Sequence, residues 1–391
     1  MKILYGYSNC TNNKYHELLN DKNLLVMHAD QKYHSLLIDG LAKNQADVFC
    51  VSGLPINRSV TKKIYINEQD EKESRVFYHY IKSINLPILR QICIYFASRL
   101  FVKQKCKKKE DNCFILCDCL NLANAYGMYH ASRKRRIPIV FIVTDIPEFQ
   151  RNGRFKKIND SIIKNADGYI LLTKQMNEKI NPYNKPNVVL EGHVDSEAPA
   201  PQAQTAYETE TDKKVVMYAG SLKKIYGIGN LVEGFIKSNI PDSELRVYGD
   251  GDFREELVSL SEKYPNVKYM GIKSNQEIVA EEQKVSLLVN PRPIAPEYTK
   301  YSFPSKNMEY MVSGAPMLTT KLPGMPAEYY PHVYLIEDET PDGIAKVLNK
   351  IFAEPFADRQ AKAKEAREFV LKQKSNVVQA EKIIKFLETE L

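Results

Sequence analysis

A lysine and a glutamate three positions apart, Lys306 and Glu309, lie at the predicted start of a helix. The helix follows an apolar strand, 285–289, and Arg292 lies between the two. The first amides of a helix have no partner within it and carry partial positive charge, so they attract phosphate. Lys306 and Arg292 add full positive charge, and the Glu309 carboxylate can accept hydrogen bonds from ribose hydroxyls. These residues predict a cradle for a nucleoside diphosphate; the alternative is an ordinary helix start with a surface Lys and Glu.

Other strands predicted in the second half of the chain also end in glycine or small polar residues. Ligands of open parallel sheets bind at the carboxyl ends of the strands, where the strand order reverses. Gly220 would let backbone amides approach a phosphate, although a plain strand-to-helix turn also explains a glycine here. The residues predicted to line this edge are Gly220, Ser221, Gly249, Asp250, Gly271, Ile272, Arg292, Ser305 and Lys306.

Several of these segments resemble the donor-binding signature of family-four glycosyltransferases of the GT-B fold, in the form seen in bacterial capsule and exopolysaccharide enzymes. The most specific matches are Asn290-Pro291-Arg292-Pro293 and Tyr301-Ser302-Phe303-Pro304-Ser305-Lys306. The glycine turns at 217–222, 226–228 and 247–251 are similar to those of the family's second domain, and 166–173 and 191–195 resemble the end of its first domain.

The resemblance implies two Rossmann-like α/β domains with parallel sheets that face each other across a cleft. It implies a retaining transfer of a sugar from a nucleotide-diphosphate donor, expected to be a UDP-sugar, to a saccharide or lipid-linked saccharide in polysaccharide synthesis. Lys306 and Arg292 would contact the diphosphate, Glu309 the ribose, and Gly271 with Ile272 the base. Tyr301, Ser302 and Phe303 would contact the sugar hydroxyls. We therefore expect Lys306, Arg292 and Glu309 to carry catalysis, with no cofactor.

Three positions depart from the family pattern. Ser221 and Tyr226 stand where many members carry an arginine and a lysine, and Tyr301 stands in place of an upstream glutamate. Charge for the diphosphate must then come from elsewhere, with Lys223 or Lys224 as candidates, and the donor sugar stays open. A nucleotide-sugar epimerase of the same fold and an inactive GT-B interaction module remain alternative functions.

Asp250-Gly251-Asp252 resembles the metal-binding signature of the other large glycosyltransferase fold. Its position between a strand and a helix predicted from Phe253 favours a carboxylate that caps the helix start. The sequence also lacks the His-Glu-x-x-His and Gly-x-Ser-x-Gly patterns of zinc proteases and serine hydrolases. We predict no metal site.

Polar side chains also follow the strands predicted in the first half and could position an acceptor or a leaving group. An isolated Asp or His at such a place is also explained as an ordinary capping or hydrogen-bonding residue. The candidates on this acceptor side are Tyr7, Lys32, His34, Asp118, Asp145 and His193.

The positive charge of the chain is concentrated in its first half. The net charge is +7, but residues 1–200 carry 30 Lys and Arg against 20 Asp and Glu, whereas the remainder carries 25 against 28. This asymmetry indicates one basic face rather than a nucleic-acid binder, and we expect no nucleic-acid partner. The basic clusters are Lys103, Lys105, Lys107, Lys108 and Lys109, and Arg133, Lys134, Arg135 and Arg136.

The first basic cluster follows an apolar helix with aromatic residues, 86–102. This composition is typical of a helix that lies on an anionic membrane, so we predict membrane contact through residues 86–109 and 133–136. The alternative is a buried helix that leads into a solvated loop. The cysteines fit buried thiols in a reduced cytoplasm, and we find neither a signal-peptide pattern nor a run of roughly 20 apolar residues. We therefore expect a cytoplasmic protein on the inner face of the cell membrane.

Predicted strands and helices alternate, which favours an open parallel sheet in each half. Residues 196–212 are polar with two prolines and predict a linker. The expected domains are 1–196 and 212–371, with a helix at about 372–391 that crosses back onto the first domain. The predicted strands are 1–8, 46–52, 113–118, 138–144, 215–219, 245–249, 268–271, 285–289 and 317–319; the predicted helices of the first half are 30–43, 86–104, 121–135 and 155–165.

Overall fold

In a computed structural model of the chain, the structure describes residues 1–19, 28–56, 58, 60–108, 110–146, 156–201 and 213–391. The chain forms two compact units: unit 1 is Met1–His193 with Ser375–Leu391, and unit 2 is Val194–Lys374. Lys109 of the first basic cluster, Phe155 and most of the predicted linker, 202–212, lie outside the described residues. Among the described helices, none combines the length and apolar character needed to cross a bilayer.

Unit 1 contains an eight-stranded sheet in the order β10-β9-β8-β7-β1-β2-β5-β4. All neighbouring strands are parallel except β4, which is antiparallel to β5. β3 and β6 form a separate antiparallel pair. The strands are β1 (Lys2–Gly6), β2 (Asp47–Ser52), β3 (Tyr65–Ile66), β4 (Glu71–Glu73), β5 (Val76–Tyr80), β6 (Ser83–Ile84), β7 (Cys113–Asp118), β8 (Ile139–Val143), β9 (Gly168–Leu171) and β10 (Asn187–Val189).

The central strands of this sheet are apolar runs because both of their faces are covered. Every residue of β7 and β8 is buried, as expected for a parallel sheet packed between helices. The described helices of unit 1 are α1 (Asn12–Leu19), α2 (His28–Lys43), α3 (Pro87–Lys105), α4 (Leu122–Arg135), α5 (Lys156–Lys164), α6 (Lys174–Ile180) and the last helix of the chain, α13 (Asn376–Glu390).

The helix α13 packs on α2 within unit 1. The Asn376 side chain donates to the Leu36 carbonyl (3.1 Å) and to Asp39 (2.9 Å). Apolar residues of α13, including Ile383 and Leu387, are fully buried in the core that β1 and β2 also line. This helix begins after Ser375, whose hydroxyl accepts from the Val378 amide, a few residues beyond the predicted start at about residue 372.

Unit 2 contains a six-stranded sheet in the order β13-β12-β11-β14-β15-β16, with all neighbours parallel. The strand order reverses between β11 and β14, which is the Rossmann arrangement. The prediction of open parallel α/β sheets is confirmed. The strands are β11 (Lys214–Ala219), β12 (Ser243–Tyr248), β13 (Val267–Gly271), β14 (Leu287–Asn290), β15 (Met317–Thr320) and β16 (Tyr334–Ile336).

Helices cover the sheet of unit 2 and place their first turns near its carboxyl edge. They are α7 (Ile228–Ser238), α8 (Arg254–Lys263), α9 (Asn275–Glu282), α10 (Ser305–Ser313), α11 (Pro341–Ala353) and α12 (Phe356–Gln373). Single 3₁₀ turns at Lys224–Tyr226, Glu297–Lys300 and Ala327–His332 complete the unit.

The turns after β11 and β12 pack so closely that one position must be glycine. Gly249 has φ +129°, and a Cβ there would lie 1.8 Å from the Gly220 carbonyl oxygen. The Gly220 amide donates to the Tyr248 carbonyl (3.1 Å), and the Gly249 amide donates to the Gly271 carbonyl (2.9 Å). Three successive strand ends are therefore held in one layer.

We predict that Gly249→Ala destabilises unit 2. Backbone strain alone costs about 1–3 kcal/mol, and overlap with the Gly220 carbonyl adds to it. The matched control is Gly271→Ala, at φ +72° with no atom within 4 Å of the new methyl, for which only the left-handed backbone costs about 1–2 kcal/mol. Urea denaturation followed by circular dichroism measures both, and equal losses would contradict the close contact.

Candidate active site

The site predicted from sequence lies at the carboxyl edge of the unit 2 sheet. Gly220, Gly249 and Gly271 are joined there by the backbone hydrogen bonds described above. Ser221 and Ile272 are exposed at the same edge, Ile272 by 51%. The structure thus brings together the glycine turns that the sequence had placed at separate strand ends.

The helix α10 begins beside these turns with no side chain that caps it. Its N-cap residue is Pro304, whose ring leaves the first turn without a capping oxygen. Tyr310, fully buried, fixes the helix to the end of β11: its hydroxyl accepts from the Ala219 amide (3.0 Å) and donates to the Ala219 carbonyl (3.2 Å). Sequence analysis missed Tyr310, because no local signal distinguishes this tyrosine from an ordinary core residue.

Lys306 and Glu309 pair with each other on α10, Nζ to Oε2, at 2.8 Å. Their side chains are 31% and 19% exposed. Burial alone would lower the pKa of the Lys306 ammonium, but the carboxylates of Glu309 and Glu282 outweigh it, and the pKa is raised above its usual value. Lys306 is therefore cationic at neutral pH, and its positive charge lies at the first turn of the helix.

Arg292 lies at the end of β14 between two tyrosines. Its guanidinium carbon is 4.5 Å from the ring centroid of Tyr226 and 5.9 Å from that of Tyr298. Such distances allow a cation–π interaction with both rings. Within the described part of the chain, Arg292 makes neither a hydrogen bond nor an ion pair, and its Nε is buried without an acceptor. Its charge is held in place but not neutralised by a carboxylate.

Unsatisfied polar groups are concentrated between residues 292 and 307. Considering only the described residues, four buried atoms there lack a hydrogen-bond partner: Arg292 Nε, Tyr298 Oη, Ser302 Oγ and Asn307 Nδ2. Folded proteins pair nearly all buried polar atoms, so such a concentration indicates a place where a ligand completes the network. Asn307, fully buried beside Lys306, was not among the predicted site residues.

The residues predicted to contact the donor sugar differ in how deeply they are buried. Tyr301 and Ser302 are half-buried, whereas the Phe303 side chain is 4% exposed and packs against Tyr329, 5.0 Å between ring centroids. Phe303 can therefore face a ligand only with its backbone. Ser305 is exposed at the first position of α10.

The predicted cap role of the Asp250-Gly251-Asp252 triplet is wrong in detail. The N-cap of α8 is Phe253, and no side chain caps this helix. Asp252 Oδ1 instead accepts from the Lys224 amide (2.7 Å), in the neighbouring glycine turn, and Asp250 lies 3.5 Å from Arg254. Asp252 therefore braces the neighbouring turn, because the two strand ends lie close together, whereas the Asp250 carboxylate pairs within its own connection.

In unit 1, three acceptor-side candidates form one buried cluster. His34 Nε2 lies 3.3 Å from Asp118 Oδ2, and the Tyr7 ring is stacked on the His34 ring at 3.6 Å between centroids. The Tyr5 hydroxyl, which sequence analysis missed, lies 2.6 Å from His34 Nδ1. His34 and Asp118 are 1% and 2% exposed, so they lie beneath the surface at the end of the sheet.

The remaining acceptor-side candidates lie outside that cluster. His193 Nε2 is 2.8 Å from the Tyr33 carbonyl, and burial lowers the pKa of His193 to about 4, so the ring is neutral at neutral pH and donates this hydrogen bond. Lys32 is exposed on α2, and Asp145 is half-buried after β8.

One cluster in unit 1 has the composition of a metal site. Cys106, Glu110 and Cys113 offer ligand atoms within 4.8 Å of one another. However, Glu110 binds the Lys2 ammonium at 2.7 Å and accepts from the Lys107 amide at 2.8 Å, so both carboxylate oxygens are used by the chain itself. We assign no metal to this cluster.

The chain matches known proteins in one family model and in solved structures. Residues 201–369 match the family described as glycosyl transferases group 1. No curated protein matches the chain at a significant level.

Three solved structures with similar folds cover nearly the whole chain. A sucrose-phosphate synthase from Thermosynechococcus elongatus aligns with a TM-score of 0.70 at 14% identity over 99% of each chain. The apo form of the lipopolysaccharide outer core galactosyltransferase WaaB aligns with 0.64 at 14% identity over 100% of each. Anabaena HepE in complex with UDP aligns with 0.64 at 15% identity, also over 100% of each.

At these identities the structural likeness establishes the fold, and the matched domain covers the whole edge where the glycine turns, Arg292 and α10 meet. Residues 201–369 thus match the group 1 glycosyltransferase family, and the chain has the GT-B fold of these structures.

Proposed function

We propose that the protein transfers a sugar, with retention of anomeric configuration, from a nucleoside-diphosphate donor to a saccharide or lipid-linked saccharide in polysaccharide synthesis. The observation that carries the proposal is Arg292, a cation without a protein acceptor in the described chain, beside the uncapped start of α10. HepE, whose fold is similar, was solved with UDP, and we propose UDP as the nucleotide. WaaB is a galactosyltransferase of the lipopolysaccharide core, which supports a saccharide acceptor.

In the proposed reaction the bond between the anomeric carbon and the diphosphate oxygen breaks, and a bond to an acceptor oxygen forms as the acceptor loses its proton. Negative charge develops on the departing diphosphate. Arg292, Lys306 and the first amides of α10 are fixed before the reaction, so they stabilise this charge without reorganisation. Ser221 supplies a further backbone amide at the same edge, whereas the Gly220 amide is already bonded to the Tyr248 carbonyl.

The Lys306–Glu309 ion pair can remain when the donor binds. A lysine ammonium has three donors, so it can hold Glu309 and a phosphate oxygen together. The Glu309 carboxylate keeps acceptor capacity for the ribose hydroxyls, and its charge orients Lys306 in the meantime. We assign the base to the loop of Gly271 and Ile272, and the sugar hydroxyls to Tyr301, Ser302 and the backbone of Phe303.

The acceptor is proposed to lie against unit 1, at the carboxyl ends of its strands. The candidates remain Tyr7, Lys32, His34, Asp118, Asp145 and His193. Because His34 and Asp118 are buried, we propose that they orient the Tyr7 side of the site and that Lys32 and Asp145, which reach the surface, contact the acceptor.

We further propose that unit 1 contacts the anionic inner face of the cell membrane through α3. The helix has two apolar faces. Ile94 and Phe101 lie on the buried face, whereas the other face carries exposed apolar residues at intervals of four. These exposed residues are Ile88 (75%), Ile92 (46%), Phe96 (59%) and Leu100 (53%). An exposed apolar stripe of this size is typical of an interaction surface.

Basic side chains lie beside this stripe, although not all of the predicted ones are available. Lys105 lies over the rings of Phe77 (4.5 Å) and Phe49 (5.2 Å), and Arg133 pairs with Asp167. Lys107, Lys108, Lys134 and Arg136 are exposed. Desolvation and the like charges of Arg99, Lys134 and Arg135 lower the pKa of Lys103. The two basic clusters therefore repel each other, and an anionic surface would reduce this repulsion.

We predict that Arg292→Ala and Lys306→Ala each weaken binding of UDP about tenfold or more, because each removes a charge-assisted hydrogen bond to the diphosphate. Lys263→Ala, at an exposed lysine at the end of α8, is the control and leaves affinity unchanged. Isothermal titration against a panel of nucleoside diphosphates measures the effect. Unchanged affinity in both variants would remove the diphosphate assignment, and binding of none of the nucleotides would favour an inactive module.

We predict that transfer does not require a divalent metal. Positive charge for the leaving group comes from Arg292, Lys306 and the helix amides, and Asp252 accepts from the Lys224 amide instead of facing a ligand. Activity should survive excess EDTA. Asp252→Asn, which keeps the accepting oxygen, should retain most activity. Activity lost in EDTA and restored by manganese, with Asp252→Asn inactive, would overturn the mechanism.

We predict that the protein cosediments with liposomes that contain phosphatidylglycerol and that salt releases it. Lys103→Gln with Lys107→Gln and Lys108→Gln should abolish binding, and Ile88→Ser with Phe96→Ser should weaken it at every salt concentration. The control is a triple Lys→Gln variant at Lys350, Lys364 and Lys372, which are exposed on unit 2. Binding to neither anionic nor neutral liposomes would contradict the membrane proposal.

A further inference from the structure

Tyr226 lies close to two cations. The Arg292 guanidinium is 4.5 Å from its ring centroid, and the Lys223 ammonium is 5.7 Å from it. Tyr298, in the connection that also carries Arg292, has its ring centroid 5.9 Å from the same guanidinium. The ring of Tyr226 is half-buried and packs on the core of unit 2, so its position is set by that core.

The turn that carries Tyr226 is locked to the strand end that carries Arg292. Gly227 has φ +78°, and a Cβ there would lie 2.3 Å from the Pro291 carbonyl oxygen. β11 and β14 are neighbours, and the strand order reverses between them. The tyrosine and the arginine therefore meet at the place where open parallel sheets bind their ligands.

The other cation of this turn is already paired with a carboxylate. Lys224 pairs with Glu256 at 3.0 Å, and position 221 is a serine. Two like charges beside one ring repel each other, and no carboxylate in the described chain neutralises Arg292. A bound dianion would relieve this repulsion, whereas an uncharged ligand would not.

We propose that Tyr226 is a positioning residue for the diphosphate of the donor. It holds the Arg292 guanidinium, together with Tyr298, and keeps Lys223 beside it. Tyr226 carries no charge itself, but the two cations that it holds supply positive charge for the diphosphate. The inference rests on the proposed function, because it takes the nucleoside diphosphate as the ligand. Held in advance, the arginine loses less conformational freedom when the ligand binds.

The test compares UDP with uridine on the full-length protein by isothermal titration. Tyr226→Leu should weaken UDP binding about three- to fivefold, the contribution expected of an exposed cation–π pair, and leave uridine binding unchanged. Tyr226→Phe keeps the ring and should bind UDP as the wild type does. In the Arg292→Ala background, Tyr226→Leu should have much less effect than in the wild type.

The matched control is Tyr264→Leu. Tyr264 is also half-buried, packs on the same core and has a lysine, Lys263, 5.2 Å from its ring centroid, but it precedes β13 at the amino edge of the sheet. This variant should be destabilised like Tyr226→Leu in thermal unfolding and yet bind UDP normally.

The outcomes separate the inference from the proposed function. If the wild type binds no nucleoside diphosphate, or Arg292→Ala and Lys306→Ala both leave UDP affinity unchanged, the proposed function fails. If Arg292→Ala alone leaves it unchanged, the positioning role of Tyr226 is overturned. If Arg292→Ala weakens UDP binding but Tyr226→Leu does not, or weakens it equally in the Arg292→Ala background, the positioning role is overturned. Equal weakening of UDP and uridine by Tyr226→Leu would likewise overturn it, since it would indicate a general loss of structure.

Discussion

The close packing of strand ends in unit 2 is the constraint on which the candidate site depends. Gly249 approaches the Gly220 carbonyl more closely than any side chain would allow, and Gly227 does the same with Pro291. These contacts bring the turns after β11, β12 and β14 into one layer. Because the strand order reverses between β11 and β14, the connections diverge there, beside Arg292 and the uncapped start of α10.

The electrostatics of the site follow from how each cation is held. Lys306 is compensated by Glu309 on its own helix, whereas Arg292 is held by aromatic rings, which orient a cation without neutralising it. The site therefore contains one positive charge that is balanced and one that is not. This difference supports the proposal that the ligand is a diphosphate rather than a neutral sugar.

Much of the architecture could be predicted from the sequence because it is locally encoded. Strands such as Cys113–Asp118 and Ile139–Val143 are continuous apolar runs, and the stretch that carries Lys306 and Glu309 after an apolar strand indicates the start of α10. Three-residue strands such as Tyr334–Ile336 and Asn187–Val189 were missed, because they are too short for any periodicity to appear.

Contacts between distant residues could not be predicted from local pattern. The stacking of Tyr226 on Arg292, the contact of Tyr5 with His34 and the two hydrogen bonds of Tyr310 join segments that only the sheet order brings together. The role of Asp252 was missed for the same reason: its partner, the Lys224 amide, belongs to a different strand end.

The position of α13 has a consequence for the order in which the protein can fold during synthesis. Ala380, Ile383, Phe386 and Leu387 are part of the unit 1 core, yet the ribosome makes them only after all of unit 2. The strands of unit 1 are made first, but this part of their apolar surface stays uncovered until the whole of unit 2 has been made.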